Sequence, residues 1–541
     1  MPADLIVSDA RIWTGDAATP WAEALAVSGD RVVAVGPADD VAALAGPRTR
    51  RVEAPGRLVV PGFHDAHVHP SFGGRFRLTC DLHEVSGLAA VLGAVRAYAR
   101  AHPDRPWVYG SGWEITGLDG VPPSAALLDD VVPDRPVFLL NASVHEAWVN
   151  TAALRRAGIT ADTPDPAGGW YERDGDGTPT GRLYEGAAYA FEARFVPGPT
   201  PVEREAALLV AQEFLHSLGI TGWQDAWVTP ELLSAYEDLA DDGRLTARVS
   251  AALWWERTRG LEQIDGFVAA RGEAGGRERL VVRTVKIMLD GVVENHSAAM
   301  LAPYLHVHDG DHAGRLYVEP GVVTEAVTRL DALGFQVHFH ALGDRAVRVG
   351  LDAVEVAAAR NGSPGANRHT LAHLQVVHPD DVARFAALGA VPNCQALWAQ
   401  YEPPMTELTL PFLGPERSAQ QYPFGSLAAA GARLAMGSDW PVSTPAPLAQ
   451  IDVAVHRSEH GAAAPFLPEE ALTLEQALTA FTAGSAFACH DDDAGVLRAG
   501  SRADLAVLSS DLFAASDLAE ALAETRVELT VAAGRVVHQD R

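Results

Sequence analysis

Two histidines, His67 and His69, are separated by one residue in the segment VVPGFHDAHVHP. Alternate side chains of a β-strand point to the same face, so both imidazoles can face one metal ion. Imidazole nitrogens are common zinc ligands. Paired histidines also occur as ordinary surface residues, however, so the spacing alone does not establish a metal site. The pair predicts part of a site that needs further ligands.

Candidate ligands stand at the ends of other apolar, strand-like runs. They are His338 and His340 in QVHFHALGD, His373 in TLAHLQ and Asp439 in AMGSDWPVS. Each of these polar groups, if buried separately, would need its own hydrogen-bond partner in the core. Convergence on one cation is the simpler explanation. Zinc is the expected metal, and iron or manganese would fit the same donors at lower preference.

The chain has 42 basic residues but a single lysine, Lys286, in the apolar segment LVVRTVKIMLDG. A buried ε-amine can lose its proton and act as a nucleophile or as a ligand precursor, whereas a guanidinium cannot be deprotonated. Chance survival in a lysine-poor composition is the alternative interpretation. Because an isolated buried lysine is energetically costly, we predict that Lys286 belongs to the same site.

These residues need a scaffold that brings strand ends together. Between residues 61 and 485, strand-like runs alternate with alanine-rich helical stretches such as VVTEAVTRLDALG. This alternation predicts a (β/α)8 TIM-type barrel, in which chemistry gathers at the carboxyl ends of the strands. An open doubly wound sheet is the competing α/β fold, but no GxGxxG turn follows a first strand.

Outside the barrel segment, residues 1–60 and 486–541 both read as strand, turn and strand, which predicts one small composite β domain built from both ends of the chain. An insertion is predicted at about residues 80–200, where Trp, Pro, Gly and Asp are frequent. We expect it to cover the barrel mouth and shape the substrate site, with a surface elaboration as the alternative.

Composition limits the classes of function. The 541 residues, 48% hydrophobic, can bury a large core, and the net charge of −28 disfavours nucleic acid and anionic membranes. The start of the chain lacks a signal segment and no apolar run approaches the roughly 20 residues that span a bilayer, so we expect a cytoplasmic protein. Three scattered cysteines argue against a disulfide framework or a thiolate zinc site. The expected partner is a small-molecule substrate, with a homodimer as the candidate assembly.

Several segments together resemble the amidohydrolase superfamily, and within it the YtcJ-like branch that includes N-substituted formamide deformylases. The segments are PGFHDAHVH, VHFHALGDRAV, AHLQ, GSDWPVS and GVLRAGSRADLAVLSSD. The resemblance implies the barrel with a composite β-sandwich domain. The metal ligands that it implies are His67, His69, His340, His373 and Asp439. It favours His340 over His338, because the ligand of the family directly precedes an Ala-x-Gly-Asp turn.

The same resemblance implies that carbon dioxide carboxylates Lys286. A carbamate is an anion with two oxygens that can bridge two cations, so one or two metal ions are expected. The cation would lower the pKa of a bound water from ~15.7 to about 7, giving hydroxide as the nucleophile. Asp439 is predicted to accept the proton and return it to the leaving nitrogen. The expected reaction is hydrolysis of a non-peptide, amide-like C–N bond.

Other residues are candidates for substrate contact. His145 matches a histidine of the branch and is predicted to contact the substrate or its oxyanion, with an ordinary loop histidine as the alternative. Trp113 and Trp398 are candidates for an apolar pocket, although tryptophan more often packs in a core. His296 is a further candidate for substrate contact, although the resemblance does not extend to its segment: the branch commonly reads DGSLGSRTA after the lysine, whereas this chain reads DGVVENHSAAM.

Two functions from other classes remain open at this stage. A non-catalytic member could bind a small molecule or regulate a partner, since a fold does not fix a function. An isomerase or a decarboxylase could use the same metal centre, because the ligands specify activation rather than the bond that breaks. Serine and cysteine hydrolases are disfavoured, since the chain has no GxSxG elbow and no local cysteine signature.

Overall fold

The computed structural model of the chain describes residues 2–540, except residues 84, 143, 145, 167, 308–310, 363 and 463. The strands are β1 Leu5–Ser8, β2 Arg11–Trp13, β3 Trp21–Ala22, β4 Ala24–Ser28, β5 Arg31–Gly36, β6 Arg50–Glu53, β7 Leu58–Pro61, β8 Phe63–Val68, β9 Cys80–Asp81, β10 Val108–Trp113, β11 Val137–Asn141, β12 Glu146–Val149, β13 Gly169–Arg173, β14 Pro179–Glu185, β15 Ile220–Val228, β16 Arg248–Trp254, β17 Leu280–Met288, β18 Gln336–Ala341, β19 Thr370–His373, β20 Val391–Cys394, β21 Ala435–Met436, β22 Leu505–Leu508, β23 Val527–Ala532 and β24 Arg535–Gln539.

The helices are α1 Ala38–Ala42, α2 Pro70–Arg77, α3 Leu88–Ala101, α4 Ala125–Asp129, α5 Thr151–Ala157, α6 Gly186–Phe195, α7 Pro201–Ser217, α8 Pro230–Asp241, α9 Ile264–Ala274, α10 Pro320–Ala332, α11 Asp344–Asn361, α12 Pro379–Leu388, α13 Leu410–Ser418, α14 Phe424–Ala429, α15 Pro447–His456, α16 Leu474–Thr479, α17 Ser485–Ala488 and α18 Leu518–Glu524. The chain divides into two compact units, Met1–His69 with Gln212–Arg541, and Pro70–Ala211. In the described part of the chain, no helix has both the length and the apolar character to cross a membrane.

The first unit contains a barrel of eight parallel strands in the order β8, β15, β16, β17, β18, β19, β20 and β21. The two ends of this sheet are joined where Asp439 N–H donates to His67 O at 2.8 Å and His69 N–H donates to Trp440 O at 2.9 Å. Helices such as α8, α9, α10 and α11 connect successive strands, as the sequence pattern predicted. The predicted (β/α)8 fold is therefore confirmed, and the doubly wound alternative is wrong.

A layer of polar side chains fills the middle of the barrel. The amide of Gln224 donates to Ser250 Oγ at 3.2 Å, to Thr284 Oγ1 at 3.2 Å and to Gln336 Oε1 at 2.9 Å. Alternation along a strand places Thr284 on the same face as Lys286, and Gln336 on the same face as His338. Because a slip by one residue would break this buried network, the layer fixes the register of the strands that carry the candidate site.

The two ends of the chain form a β-sandwich in the same unit. One sheet has the strand order β5, β4, β1 and β6, and the other has the order β24, β23, β22, β7, β2 and β3. Apolar residues of both sheets, such as Val27 and Val507, pack in one buried cluster, and each fully buried valine or leucine contributes roughly 1.5–3 kcal/mol. The predicted composite β-sandwich is thus present, while the predicted boundaries at residues 60 and 485 stay predictions.

The second unit contains a six-stranded mixed sheet in the order β13, β14, β12, β11, β10 and β9. Its core includes Trp113 and Trp148, whose ring centroids lie 5.8 Å apart at an interplanar angle of 71°. The turn-rich sequence between strands accounts for its hairpins. The predicted insertion at about residues 80–200 falls in this unit, and its role in shaping a substrate site stays a prediction.

Candidate metal centre

The candidate ligands come from the carboxyl ends of the barrel strands. His67 lies at the end of β8 and His69 directly follows it, His340 lies in β18, and His373 ends β19. Asp439 follows β21 by three residues. The apolar runs that precede them form the buried strands, so the polar residues begin where each strand leaves the core.

The structure brings these side chains into one cluster. Asp439 Oδ1 lies 3.0 Å from His69 Nε2 and 3.3 Å from His67 Nε2. The ring centroids of His67 and His373 are 4.7 Å apart, and those of His340 and His373 are 4.5 Å apart. Ligand atoms of His67, His373 and Asp439 all lie within 4.8 Å of one another. This spacing is suitable for donors that share a cation.

The electrostatics of the cluster also suit a cation. Burial lowers the pKa of His67, His340 and His373, with the nearby positive charge of Lys286 acting in the same direction, so these imidazoles are neutral near pH 7. Neutral imidazoles offer lone pairs, as a metal requires. The buried Nδ1 atom of His373 has no hydrogen-bond partner among the described residues. An unpaired buried nitrogen is costly, and coordination would remove that cost.

Lys286 lies in β17, directly opposite His338 in the register of the neighbouring strand. It is buried, and its Nζ has no hydrogen-bond partner among the residues that the structure describes. Burial lowers the pKa of Lys286 to about 7, although the charge of Asp439 opposes this shift. A substantial fraction of the amine is therefore neutral at pH 7, as the sequence argument requires.

The model of the amidohydrolase family matches residues 50–538. The chain belongs to the amidohydrolase family. Among its relatives, the N-substituted formamide deformylase of Arthrobacter pascens is 29% identical over 528 residues, which cover 94% of this chain and 94% of that protein. Protein LONG AFTER FAR-RED 3 of Arabidopsis thaliana is 30% identical over 526 residues, 94% of this chain and 88% of that protein.

A solved structure supports the same family. The crystal structure of an uncharacterized metal-dependent hydrolase from Pyrococcus furiosus aligns with a TM-score of 0.74 and 25% identity, covering 94% of this chain and 99% of that one. Most of the length of this amidohydrolase is therefore shared with a solved fold.

Buried carboxylates that were not predicted from the sequence support the cluster of this amidohydrolase. Asp290 accepts the backbone N–H groups of Ala299, Leu342 and Gly343, and its Oδ1 lies 3.3 Å from His340 Nδ1. This carboxylate fixes the loop after β17 to the end of β18 and orients the imidazole. The available signal was an aspartate directly after an apolar run, in the segment MLDG.

Asp65 has the same function on the other side of the barrel. It accepts the N–H of His67 at 3.1 Å, and both the N–H at 3.0 Å and the hydroxyl of Ser438 at 2.5 Å. Burial raises the pKa of Asp65 to about 7, even though these hydrogen bonds lower it. The strand end that carries His67 is thereby joined to the turn that carries Asp439.

His338, which the family pattern disfavours as a ligand, contacts the candidate ligand His67 instead. Its Nε2 lies 2.8 Å from Nδ1 of His67, and it is completely buried. If His67 uses Nε2 for the cation, its Nδ1–H donates to His338, which fixes both the tautomer and the ring orientation. This contact suits His338 to position the candidate ligand His67.

We expect His338→Phe to weaken metal binding about 10- to 100-fold, because it leaves His67 Nδ1 unpaired while keeping a ring of similar size. Competition with a chromophoric chelator would measure the affinity. His338→Gln, whose amide oxygen can accept the same hydrogen bond, should have a metal affinity between that of the original chain and that of His338→Phe. Equal affinity in all three proteins would exclude the positioning role.

The remaining candidates lie in different surroundings. Trp398 stacks on His373, with ring centroids 5.4 Å apart and an interplanar angle of 16°, so it borders the cluster. His296 packs its ring against Phe412, with centroids 4.3 Å apart. Trp113 is fully buried in the second unit. Their contacts with a substrate stay predictions, and His145 lies outside the described residues.

Proposed function

We propose that this chain is a metal-dependent amidohydrolase that cleaves a non-peptide, amide-like C–N bond of a small molecule. The observation that carries the proposal is the convergence of four buried or partly buried imidazoles, one carboxylate and the single lysine at one end of the barrel. Family membership supports the hydrolase class. The deformylase relative supports a C–N bond, and the Pyrococcus hydrolase supports a metal.

The residues present fit a divalent cation, preferably zinc. His67, His69, His340, His373 and Asp439 would hold it, and a carboxylated Lys286 would hold a second ion. When bound, such a cation supplies a Lewis acid that acidifies water and polarises a carbonyl group. The neutral imidazoles described above provide the donors, and iron or manganese would fit with lower preference.

Asp439 is the proposed general acid and base. Burial raises the pKa of this carboxyl, but the hydrogen bond from His69 and the positive charge of Lys286 outweigh burial, so its pKa lies below the ordinary value. Asp439 is thus ionised at neutral pH and able to accept a proton. Water adds to the carbonyl carbon, Asp439 takes the proton that water loses, and it returns that proton to the nitrogen as the C–N bond breaks.

Lys286 is the proposed site of carboxylation. Its neutral Nζ adds to the carbon of carbon dioxide, a C–N bond forms, and one proton is released to solvent. The product is a carbamate anion in place of an amine. A buried lysine whose pKa is about 7 is suited to this reaction, because the neutral amine is the reactive form.

Removal of the metal tests the proposal. Zinc-loaded protein should hydrolyse members of a panel of N-substituted formamides and other small amides. Dialysis against a chelator should abolish the activity, and added zinc should restore it. A protein that binds zinc but hydrolyses no member of a broad amide panel would favour the regulatory alternative, while conversion without release of an amine would favour an isomerase or a decarboxylase.

A further inference from the structure

The loop after β17, where the sequence departs from the branch pattern, carries the carboxylate of Glu294. Its Oε1 lies 3.4 Å from Nε2 of Gln375 and 3.3 Å from Oγ1 of Thr409. Glu294 is half-buried, whereas Gln375 and Thr409 are buried. In the described part of the chain, no basic side chain forms an ion pair with this carboxylate. Gln375 and Thr409 are neutral hydrogen-bond partners, which leaves this half-buried carboxylate able to bind a cationic group.

Both sides of this arrangement are attached to the metal centre. Gln375 follows His373 by two residues, so their Cα atoms are at most about 7 Å apart. Glu294 follows Asp290 by four residues, and Asp290 is fixed to the end of β18 by backbone hydrogen bonds and lies beside His340. A group bound by Glu294 and Gln375 would therefore extend from a carbonyl held at the centre.

Hydrogen-bond acceptors outnumber donors around Glu294. Gln375 Oε1 is buried and has no partner among the described residues, and Nε2 of the same amide is shared between Glu294 and Gln421 Oε1, the latter at 3.5 Å. A ligand with N–H donors would satisfy both the carboxylate and the unpaired amide oxygen.

The surroundings of Glu294 are electronegative. Burial first, then the charges of Asp290 and Glu294, raises the pKa of Tyr304. Burial first, then the charges of Glu294 and Glu402, raises the pKa of Tyr422. Among the described residues, the arginines near these tyrosines form no ion pair with Glu294: Arg417 donates to the carbonyls of residues 302, 303 and 413, and Arg457 donates to those of residues 422 and 466. A net charge of −28 would also attract cationic molecules toward the protein.

We propose that Glu294 and Gln375 bind a cationic nitrogen of the substrate, which makes small amides with an ammonium or amidinium group the preferred substrate class. The inference rests on the proposed function, because it takes the substrate to be an amide held at the metal centre. A hydrogen bond to a charged group contributes about 1.5–3 kcal/mol, which corresponds to roughly 10- to 100-fold in affinity.

The experiment measures binding without turnover. Zinc-loaded full-length protein is titrated calorimetrically with two sulfonamides that resemble amides but resist hydrolysis, the cationic N-(4-aminobutyl)methanesulfonamide and the neutral N-pentylmethanesulfonamide. The cationic probe should bind about 10- to 100-fold more tightly, and high salt should reduce the difference. Glu294→Gln should remove the preference, whereas Glu294→Asp, which keeps the charge, should retain part of it.

Glu237→Gln is the matched control, because Glu237 is a half-buried carboxylate that pairs with Arg277 on the outside of the barrel. This variant removes the same charge from the chain and should keep the preference. Equal binding of the two probes, a preference that survives in Glu294→Gln, or no binding of either probe would overturn the inference. Since no outcome depends on catalysis, a failure of the hydrolase proposal is recorded separately by the formamide assay.

Discussion

Lys286→Arg is expected to lower kcat/KM by about a thousandfold, or ~4 kcal/mol of transition-state stabilisation. Arginine keeps a positive charge and a long stem, but it cannot lose a proton and so cannot add carbon dioxide. The variant should also lose the second metal ion, which elemental analysis of the purified protein would measure. Mass spectrometry under native conditions should show the added mass of carbon dioxide on the chain that keeps Lys286 and not on the Lys286→Arg variant.

Lys286→Met is a second variant for the same test. Its flexible thioether can fill the buried space in case the bulkier guanidinium of Lys286→Arg disturbs folding. Both variants should show the same loss of activity and no response to bicarbonate. By contrast, the protein that keeps Lys286 should lose activity when carbon dioxide is removed and regain it when bicarbonate is added. Full activity in Lys286→Arg would end the carbamate proposal, while leaving hydrolysis at a single metal ion open to the chelation test.

Asp439→Asn should lower kcat by about a hundredfold to ten-thousandfold, the range attributed to general acid and base catalysis. The substitution keeps the shape of the side chain, and asparagine tolerates the left-handed backbone of this residue, where φ is 56°. The folded structure should therefore be retained. Steady-state kinetics at saturating zinc, across pH, would separate lost chemistry from lost metal.

The pH profile gives the sign of the effect. Because the pKa of Asp439 is held below its ordinary value, the unmodified enzyme should lose activity only at acidic pH, as the carboxylate becomes protonated. The variant should lack that acidic limb. Asp452→Asn serves as a control, since this buried carboxylate pairs with His456 at 2.6 Å outside the cluster. A variant of Asp439 with near-normal kcat would assign proton transfer to another group.

The barrel and the strand ends that carry the candidate ligands follow from local patterns in the sequence. Apolar runs that end in polar residues predict buried strands with chemistry at their carboxyl ends, and the spacing of His67 and His69 places them near each other on one strand end. Asp439 lies 370 residues after His69 in the chain, so its proximity to the two histidines could be predicted only by assuming a closed barrel. Closure by backbone hydrogen bonds at Asp439 is what the structure adds.

The supporting residues could not be predicted in the same way. A period of two places His338 and His340 on the same face, so the pattern does not show that His338 reaches Nδ1 of His67. Asp65 and Ser438 are hydrogen-bonded across 373 positions of the sequence, and no local motif reports such a contact. Glu294 lies in a loop without periodicity. The sequence of this loop differs from the pattern of the branch, but it does not indicate that Gln375 and Thr409 are the hydrogen-bond partners of Glu294.

Pairing of β7 with β22 has a consequence for how the protein is made. Leu58 lies opposite Leu508 in this pair, so the central strands of one sandwich sheet are separated by the entire barrel. A nascent chain on the ribosome exposes β2 and β7 long before their neighbour is translated, and closing so long a loop is slow. Until synthesis is finished these strands present an open edge, which is where association with other nascent chains, or protection by a chaperone, would occur.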